Sequence, residues 1–175
     1  MVFEEKTLDS KLIYDGAVVK LYKETVTVEG GTATREIIKH GGAAVIIAQR
    51  EDGKIAIERQ FRKPANKVIL ELPAGKIDPG EEPIDCAYRE LREETGIRAE
   101  NMEFLMKFYP ALGYSSEMLY MYHATDLSMG ARDLDDDESI DLEFYSLDEL
   151  MEMINEGKIE DSKTLIGILW MKNNA

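Results

Sequence analysis

Short runs of alternating apolar and polar residues dominate the first half of the chain and predict β-strands. Such runs occupy 17–22 and 24–28, and a Gly-Gly turn leads into a third run at 32–38, which is the pattern of a hairpin. The apolar run 43–48 predicts a strand that is buried on both faces. Further strands are predicted at 54–59, 68–72, 102–109, 118–124 and 140–145.

Three segments carry the signals of helices. The first runs from Pro83 to Thr95, with Pro83 in the first turn and Gly96 placed to end the helix. Ser146 and Glu149 form a capping box that opens the second helix, and Ser162 caps the third. The pattern of strands and helices predicts an α+β protein with helices packed on a mainly mixed sheet.

Composition narrows the class of protein. The 175 residues include 21 basic and 35 acidic side chains, so the formal net charge is −14. This charge disfavours nucleic acid and anionic membranes as partners. No apolar run approaches the roughly 20 residues of a membrane span. The first residues are too polar for a secretory signal, and the single Cys86 excludes an intrachain disulfide and a multi-cysteine zinc site. We therefore expect a cytoplasmic protein.

The first predicted helix carries candidate metal chemistry. At about 100° per residue, Glu90, Glu93 and Glu94 project from one face of the helix. Clustered carboxylates of this kind bind hard divalent cations such as Mg²⁺ or Mn²⁺. An exposed, charge-rich helix is the alternative, because Arg89 can pair with Glu93 at the i+4 spacing.

The residues before this helix favour the metal site. Gly75 is followed by five residues and Glu81, then by seven residues and Arg89-Glu90-Leu91-x-Glu93-Glu94-x-Gly96-Ile97. This segment, residues 75–97, resembles the Nudix box of the Nudix hydrolases at every defined position. The resemblance implies a Nudix fold, in which a mixed sheet is sandwiched between helices. It also implies that Glu90, Glu93, Glu94 and the Ala74 carbonyl bind the metal, that Glu81 lies near them, and that Arg89 orients a carboxylate.

The flanks of the box resemble the ADP-ribose pyrophosphatases. The similar segments are 58–62, 71–75, 109–117 and 157–164, and one departure is Leu112, where that subfamily commonly has proline. The resemblance implies a homodimer. It also implies an N-terminal β arm at residues 1–40 that contributes to dimerisation and substrate contact, and a hydrolase domain at 41–175.

Candidate substrate-binding and catalytic residues lie outside the box as well. Arg59 and Arg62 are suited to bind pyrophosphate oxygens, although each also fits a surface or strand-edge role. Glu117 could join the metal shell, hold an arginine, or be an ordinary loop acid. In the related enzymes a loop carries a catalytic glutamate, which makes Glu138 our first candidate for the base and Asp136 the second. Two alternatives are open. Glu93 could act as the base, or the loop that contains Asp136 and Glu138 could be an ordinary solvent-exposed acidic loop.

The expected reaction is metal-dependent hydrolysis of ADP-ribose to AMP and ribose 5-phosphate, with Glu93, Glu94 and Glu138 as catalytic residues. A sibling enzyme acting on GDP-mannose, UDP-glucose or a dinucleoside polyphosphate is one alternative. Another is a non-catalytic sensor that binds ADP-ribose, although a binding module has no need for the full set of carboxylates.

Overall fold

The computed structural model describes residues 2–134 and 139–174, which contain ten strands and three helices. The strands are β1 (Thr7–Asp15), β2 (Lys20–Val28), β3 (Gly31–Lys39), β4 (Ala43–Ala48), β5 (Ile55–Arg62), β6 (Lys67–Glu71), β7 (Ala74–Lys76), β8 (Ile97–Phe108), β9 (Leu119–Met129) and β10 (Ile140–Tyr145). The helices are α1 (Pro83–Thr95), α2 (Leu147–Asn155) and α3 (Ser162–Asn174). The predicted α+β class is confirmed.

The described strands form three sheets. Their orders are β1-β2-β3, β10-β5-β6 and β7-β4-β9-β8. In the last sheet, β4 and β9 pair parallel to each other, β7 pairs antiparallel with β4, and β8 pairs antiparallel with β9. This sheet is therefore mixed, as the sequence predicts. The strands that follow residue 42 are nevertheless divided between a mixed and an antiparallel sheet.

The N-terminal sheet belongs to a compact unit made of Met1–Gly42 and Tyr109–Met118. Within this unit, the Ile38 N–H donates to the Tyr114 carbonyl at 2.8 Å. The buried carboxylate of Glu24 ties its strands together, because it accepts hydrogen bonds from Thr7 and Ser10 and pairs with Lys39.

Strand β1 was not predicted as a separate strand, and the predicted run 17–22 is wrong in its start. All nine residues of β1 are exposed, so its sequence has no alternation of buried and exposed positions. Strand β2 begins only at Lys20, because a turn in which the Gly16 N–H donates to the Val19 carbonyl precedes it.

The second unit, Ala43–Phe108 with Leu119–Ala175, has a core on each side of strand β4. All six residues of β4 are buried, as its apolar run predicts. On one side, Ala44 and Ile46 share a cluster with Leu91 of α1. On the other side, Val45 and Ile47 share a cluster with residues of α2 and α3. Helices therefore cover both faces, which agrees with the predicted sandwich.

The predicted helix boundaries match the observed ones closely. Pro83 occupies the first turn of α1, and Gly96 ends it in the left-handed conformation with φ of 73°. The Ser146–Glu149 capping box opens α2. Several strand predictions after residue 42 differ. Strand β7 was missed because three residues carry no periodic pattern, and β8 begins at Ile97 rather than at 102. Strand β5 continues to Arg62 rather than ending at 59, and β9 continues to Met129 rather than ending at 124.

Candidate active site

The segment that enters the box is fixed by backbone pairing and by one buried carboxylate. In strand β7, Ala74 and Gly75 lie opposite Val45 and Ala44 of β4. The Ala74 N–H donates to Oε2 of Glu94 at 3.0 Å. Glu94 is only 4% exposed, although it is charged. A residue near the end of α1 therefore contacts the main chain just before the box glycine.

Gly75 lies directly against the carboxylate of Glu90. A Cβ atom at position 75 would be 1.8 Å from Cδ of Glu90 and 2.0 Å from its Oε1. Any side chain at this position would displace the carboxylate, so the space next to Gly75 is filled by the end of Glu90. Glu90 and Glu94 thus converge on the same dipeptide from successive turns of α1.

Arg89 joins three acidic side chains of the box. Its Nε and Nη2 donate to the two carboxylate oxygens of Glu81 at 2.8 and 2.9 Å. Its Nη1 donates to Glu90 at 2.7 Å and to Glu93 at 3.1 Å. Nη2 also donates to the Lys76 carbonyl at 3.0 Å. The arginine therefore holds the loop of the box against the helix as well as holding the carboxylates together.

This arrangement favours the charged states of Glu81 and Arg89. Hydrogen bonds from Arg89 lower the pKa of Glu81 to about 2, and the Asp78 N–H adds a further bond to the same carboxylate. The carboxylates in turn raise the pKa of Arg89 above its ordinary value. Burial raises the pKa of the nearby Cys86 to about 12, so this cysteine stays a neutral thiol.

Glu93 lies in a more accessible position than Glu94. Its carboxylate accepts hydrogen bonds from Arg89 and, at 2.7 Å, from Arg92. Its main-chain carbonyl accepts from the Asp133 N–H at 3.0 Å. The segment that follows strand β9 therefore passes close to the last turn of α1.

The donor set fits a hard divalent cation. No three His, Cys, Asp or Glu side chains within residues 2–134 and 139–174 form a ready metal cage. Glu90 and Glu94 nevertheless converge on Ala74 and Gly75, next to the main-chain carbonyl that the family resemblance implies as a third oxygen ligand. Two carboxylates and a carbonyl, completed by water, are the ligands that Mg²⁺ prefers.

The two candidate arginines of β5 lie on opposite faces of its sheet. Side chains alternate along a strand, so Arg62 shares a face with Ala56, which packs in the cluster that contains α1. Arg59 shares its face with Ile57, in the other cluster, and donates to Glu143 at 3.1 Å. The structure therefore brings Arg62, and not Arg59, to the side of the box helix.

Arg62 is held by residues that the sequence analysis did not select. Its Nε and Nη2 donate to the carboxylate of Glu71 at 2.6 and 3.0 Å. Lys163 also pairs with Glu71, which is only 2% exposed. Burial lowers the pKa of Arg62, but the carboxylates of Glu71, Glu94 and Glu58 together more than offset this, so the pKa is raised overall. The charge of Glu94 acts on Arg62 in the same direction, so Arg62 and the box share one electrostatic environment.

The remaining candidates lie elsewhere or outside the described residues. Glu117 belongs to the N-terminal unit, where its carboxylate lies 3.8 Å from Nδ1 of His40. Glu138 and Asp136 lie outside the described residues. The residues on either side are anchored, because Asp133 contacts α1 and Arg132 donates to the Ile140 carbonyl at 3.0 Å.

Known proteins resemble this chain along nearly its whole length. Residues 39–165 match the NUDIX domain family. The chain is 43% identical to a methanol dehydrogenase activator of Bacillus methanolicus, over 98% of this chain and 94% of that protein. It is 38% identical to an ADP-ribose pyrophosphatase of Bacillus subtilis strain 168, over 97% of this chain and 93% of that protein.

A solved structure confirms the fold. The crystal structure of an ADP compounds hydrolase superposes with a TM-score of 0.85, covering 100% of this chain and 98% of that chain, at 19% sequence identity. At this identity the likeness concerns the fold alone. Within the described residues, no helix is long and apolar enough to cross a membrane.

Proposed function

The chain belongs to the NUDIX domain family, and we propose that it hydrolyses the pyrophosphate bond of ADP-ribose, giving AMP and ribose 5-phosphate. The observation that carries this proposal is the convergence of Glu90 and Glu94 on Ala74 and Gly75. The similarity to the Bacillus subtilis ADP-ribose pyrophosphatase supports the choice of substrate. The acidic excess of the chain is compatible with an anionic substrate only if cations are supplied locally.

Nudix ADP-ribose pyrophosphatases are metal-dependent, and we propose Mg²⁺ as the metal here, with Mn²⁺ as the alternative. Glu90, Glu94 and the Ala74 carbonyl would hold it, with Glu93 beside them. When bound, it would neutralise the pyrophosphate and lower the pKa of an attacking water.

The protein's own residues bind the substrate and manage its proton. Arg62 presents a guanidinium to the phosphate oxygens, and Glu71 keeps it oriented. Arg89 keeps Glu90 and Glu93 in place. Glu138 accepts the proton of the attacking water, with Asp136 and Glu93 as alternatives. Asp133, which precedes Asp136 and Glu138 in the chain, is anchored against α1 beside the box. This anchoring supports a role for the segment that follows it.

Product analysis tests the proposal. The protein is incubated with ADP-ribose, GDP-mannose, UDP-glucose and diadenosine polyphosphates, each with Mg²⁺ and with a chelator. We expect magnesium-dependent AMP and ribose 5-phosphate, formed fastest from ADP-ribose. A preference for another compound would keep the chemistry of the box and reject the substrate, whereas tight binding of ADP-ribose without turnover would favour a sensor.

Variants of the box test the mechanism. Glu93→Gln and Glu94→Gln should each abolish turnover, while the fold is retained because glutamine can still accept the Ala74 N–H at position 94. Glu100→Gln, an exposed residue of β8, is the matched control. If both box variants kept a rate near that of the unmodified protein, the mechanism would be wrong.

A second candidate function is activation of a dehydrogenase. It is favoured by the 43% identity to the Bacillus methanolicus activator over 98% of this chain. Addition of the protein to a methanol dehydrogenase assay tests it directly. An increase in rate that is lost with Glu94→Gln would show that activation depends on the hydrolytic site.

We further propose a homodimer, with residues 1–40 as the arm and 41–175 as the hydrolase domain. Strand β1 supports this, because Leu8, Leu12, Ile13 and Tyr14 all expose large apolar side chains within one strand. The net charge of −14 supports the absence of a nucleic-acid partner, and the cytoplasm remains the proposed location. Sedimentation equilibrium measures the mass, and a monomer at micromolar concentration would reject the dimer.

A further inference from the structure

The start of helix α3 contacts the segment that leads from strand β6 into the box. Thr164 is completely buried, and its hydroxyl accepts a hydrogen bond from the Leu72 N–H at 2.8 Å. The same hydroxyl donates to Oδ2 of Asp161 at 2.7 Å. Because the hydroxyl both donates and accepts, its orientation is fixed. Leu72 is completely buried as well, so its N–H depends on Thr164 rather than on solvent for a partner.

Asp161 holds the hydroxyl of Thr164 from the N-terminus of α3. Its carboxylate also accepts from the Thr164 N–H at 3.0 Å, as the side chain of an N-cap residue does. A hydroxyl that donates to a carboxylate is polarised and therefore accepts more strongly in turn. Asp161 thus caps the helix and also strengthens the bond from Leu72 to Thr164.

Gly167 allows α3 to lie this close to Leu72. It follows Thr164 by three positions, so the two residues share one face of the helix. A Cβ atom at position 167 would be 2.7 Å from Cδ1 of Leu72 and 3.3 Å from Cδ1 of Ile47 in β4. The first distance is well below the separation of about 3.5 Å between carbon atoms in contact. The helix therefore meets Leu72 at two positions of one face.

Pro73 passes the orientation of Leu72 on to Ala74. Its ring fixes its own φ near about −65° and keeps the preceding residue extended, so few backbone rotations remain free between Leu72 and Ala74. The Pro73 carbonyl accepts from the Ile46 N–H at 2.9 Å, and the Ala74 N–H donates to Glu94 at 3.0 Å. Three elements, α3, β4 and α1, therefore each hold one of three consecutive residues.

From these contacts we infer that Thr164 is a positioning residue for the Ala74 carbonyl and, through it, for the proposed divalent cation. The Thr164 hydroxyl fixes the Leu72 N–H, and Pro73 transmits this restraint to the carbonyl that the family resemblance implies as a ligand. The inference rests on the proposed function and adds a residue of α3, far from the box in sequence, to the support of the metal site.

Binding of Mn²⁺ without substrate tests this inference, measured from the electron paramagnetic resonance signal of free Mn²⁺. Thr164→Val keeps the shape of the side chain and removes the hydroxyl, so we expect Kd for Mn²⁺ to rise about tenfold. The half-saturating Mg²⁺ concentration for hydrolysis should rise by a similar factor, whereas KM for ADP-ribose at saturating Mg²⁺ should change less than about twofold. Thr164→Ser retains the hydroxyl and should bring Kd back to within about twofold of the unmodified protein.

Ile168→Val is the matched control, because it removes one buried methylene group from the same helix and leaves the hydroxyl of Thr164 in place. Its Tm should fall while its Kd for Mn²⁺ stays unchanged. The inference is overturned if Kd is unchanged in Thr164→Val, or if it rises equally in Ile168→Val or in Thr164→Ser.

A second variant keeps the test decisive if Thr164→Val does not fold. Asp161→Asn weakens the acceptor of the Thr164 hydroxyl and keeps a side chain that can cap α3. A rise of Kd for Mn²⁺ of about threefold or more would support the inference, and an unchanged Kd would overturn it. If the unmodified protein neither binds Mn²⁺ nor hydrolyses ADP-ribose, the proposed function itself fails.

Discussion

The contact between Gly75 and Glu90 allows a sharp prediction for the variant Gly75→Ala. The added Cβ would be 1.8 Å from Cδ of Glu90, while carbon atoms in contact are separated by about 3.5 Å. The carboxylate of Glu90 must therefore move away by about 1.7 Å. Because this carboxylate is the end of a flexible side chain, it can move without displacing strand β7 or helix α1.

The expected cost to activity is far larger than the cost to stability. A misplacement of about 1 Å in a catalytic arrangement can reduce a rate about 100-fold, so we expect kcat to fall at least by this factor. The displaced carboxylate loses its hydrogen bond to Arg89, which keeps its bonds to Glu81 and Glu93. Loss of one partly exposed, charge-assisted bond costs about 1 kcal/mol, which corresponds to a Tm decrease of about 3 °C.

Two measurements on the same protein decide the matter: kcat for ADP-ribose at saturating Mg²⁺, and Tm by differential scanning calorimetry. Gly31→Ala is the control, because a Cβ at position 31 would meet nothing within 4 Å. The reasoning is refuted if Gly75→Ala retains kcat within about threefold of the unmodified protein. It is also refuted if activity is lost because Gly75→Ala unfolds at the assay temperature.

Three further predictions concern charged side chains outside the box. Arg62→Met should reduce kcat/KM for ADP-ribose at least about tenfold, whereas Arg59→Met should reduce it about twofold at most, because only Arg62 lies on the side of the sheet that faces α1. Equal losses of kcat/KM in the two variants would contradict this. Lys39 lowers the pKa of Glu24, so Glu24 stabilises the fold above its ordinary pKa of 4.5 and loses this effect as the pH falls through the lowered value. The Tm difference between Glu24→Gln and the unmodified protein should therefore shrink from about pH 7 to about pH 3, and a constant difference would refute it. Arg132→Met should reduce kcat by a larger factor than it changes KM, because Arg132 donates to the carbonyls of Thr95 in α1 and of Ile140 and so joins them. Steady-state kinetics would measure both constants.

Much of the box was predictable because its residues are close in sequence. The helical period places Glu90, Glu93 and Glu94 on one face, and the spacing of Arg89 and Glu93 predicts their ion pair, which is observed at 3.1 Å. The contacts that position the carboxylates were not predictable in this way. The Ala74–Glu94 bond joins residues 20 positions apart, and its existence depends on how β7 pairs with β4.

The alternation of strand β5 held information that the sequence analysis did not use. Residues 59 and 62 differ by an odd number, so their side chains must point to opposite faces of a regular strand. Which face meets α1 follows from Ala56 and Ile57, whose clusters only the fold reveals. The pairing of Glu71 with Lys163 spans 92 positions, and no local pattern indicates it.

Arg89 alone does not neutralise the carboxylates of the box. Arg89 contacts the carboxylates of Glu81, Glu90 and Glu93, so these four side chains keep a formal charge of about −2. Arg89 is positively charged at any physiological pH, as arginine is in general, and its carboxylate partners raise its pKa further. This charge limits the repulsion within the helix and holds the carboxylates together. Arg92 adds a second positive charge beside Glu93, and the buried Glu94 adds a further negative charge. These six side chains therefore keep a formal charge of about −2, which one divalent cation would balance. Arg89 therefore neutralises part of the charge of the box, and the proposed Mg²⁺ would neutralise a further part when it is bound.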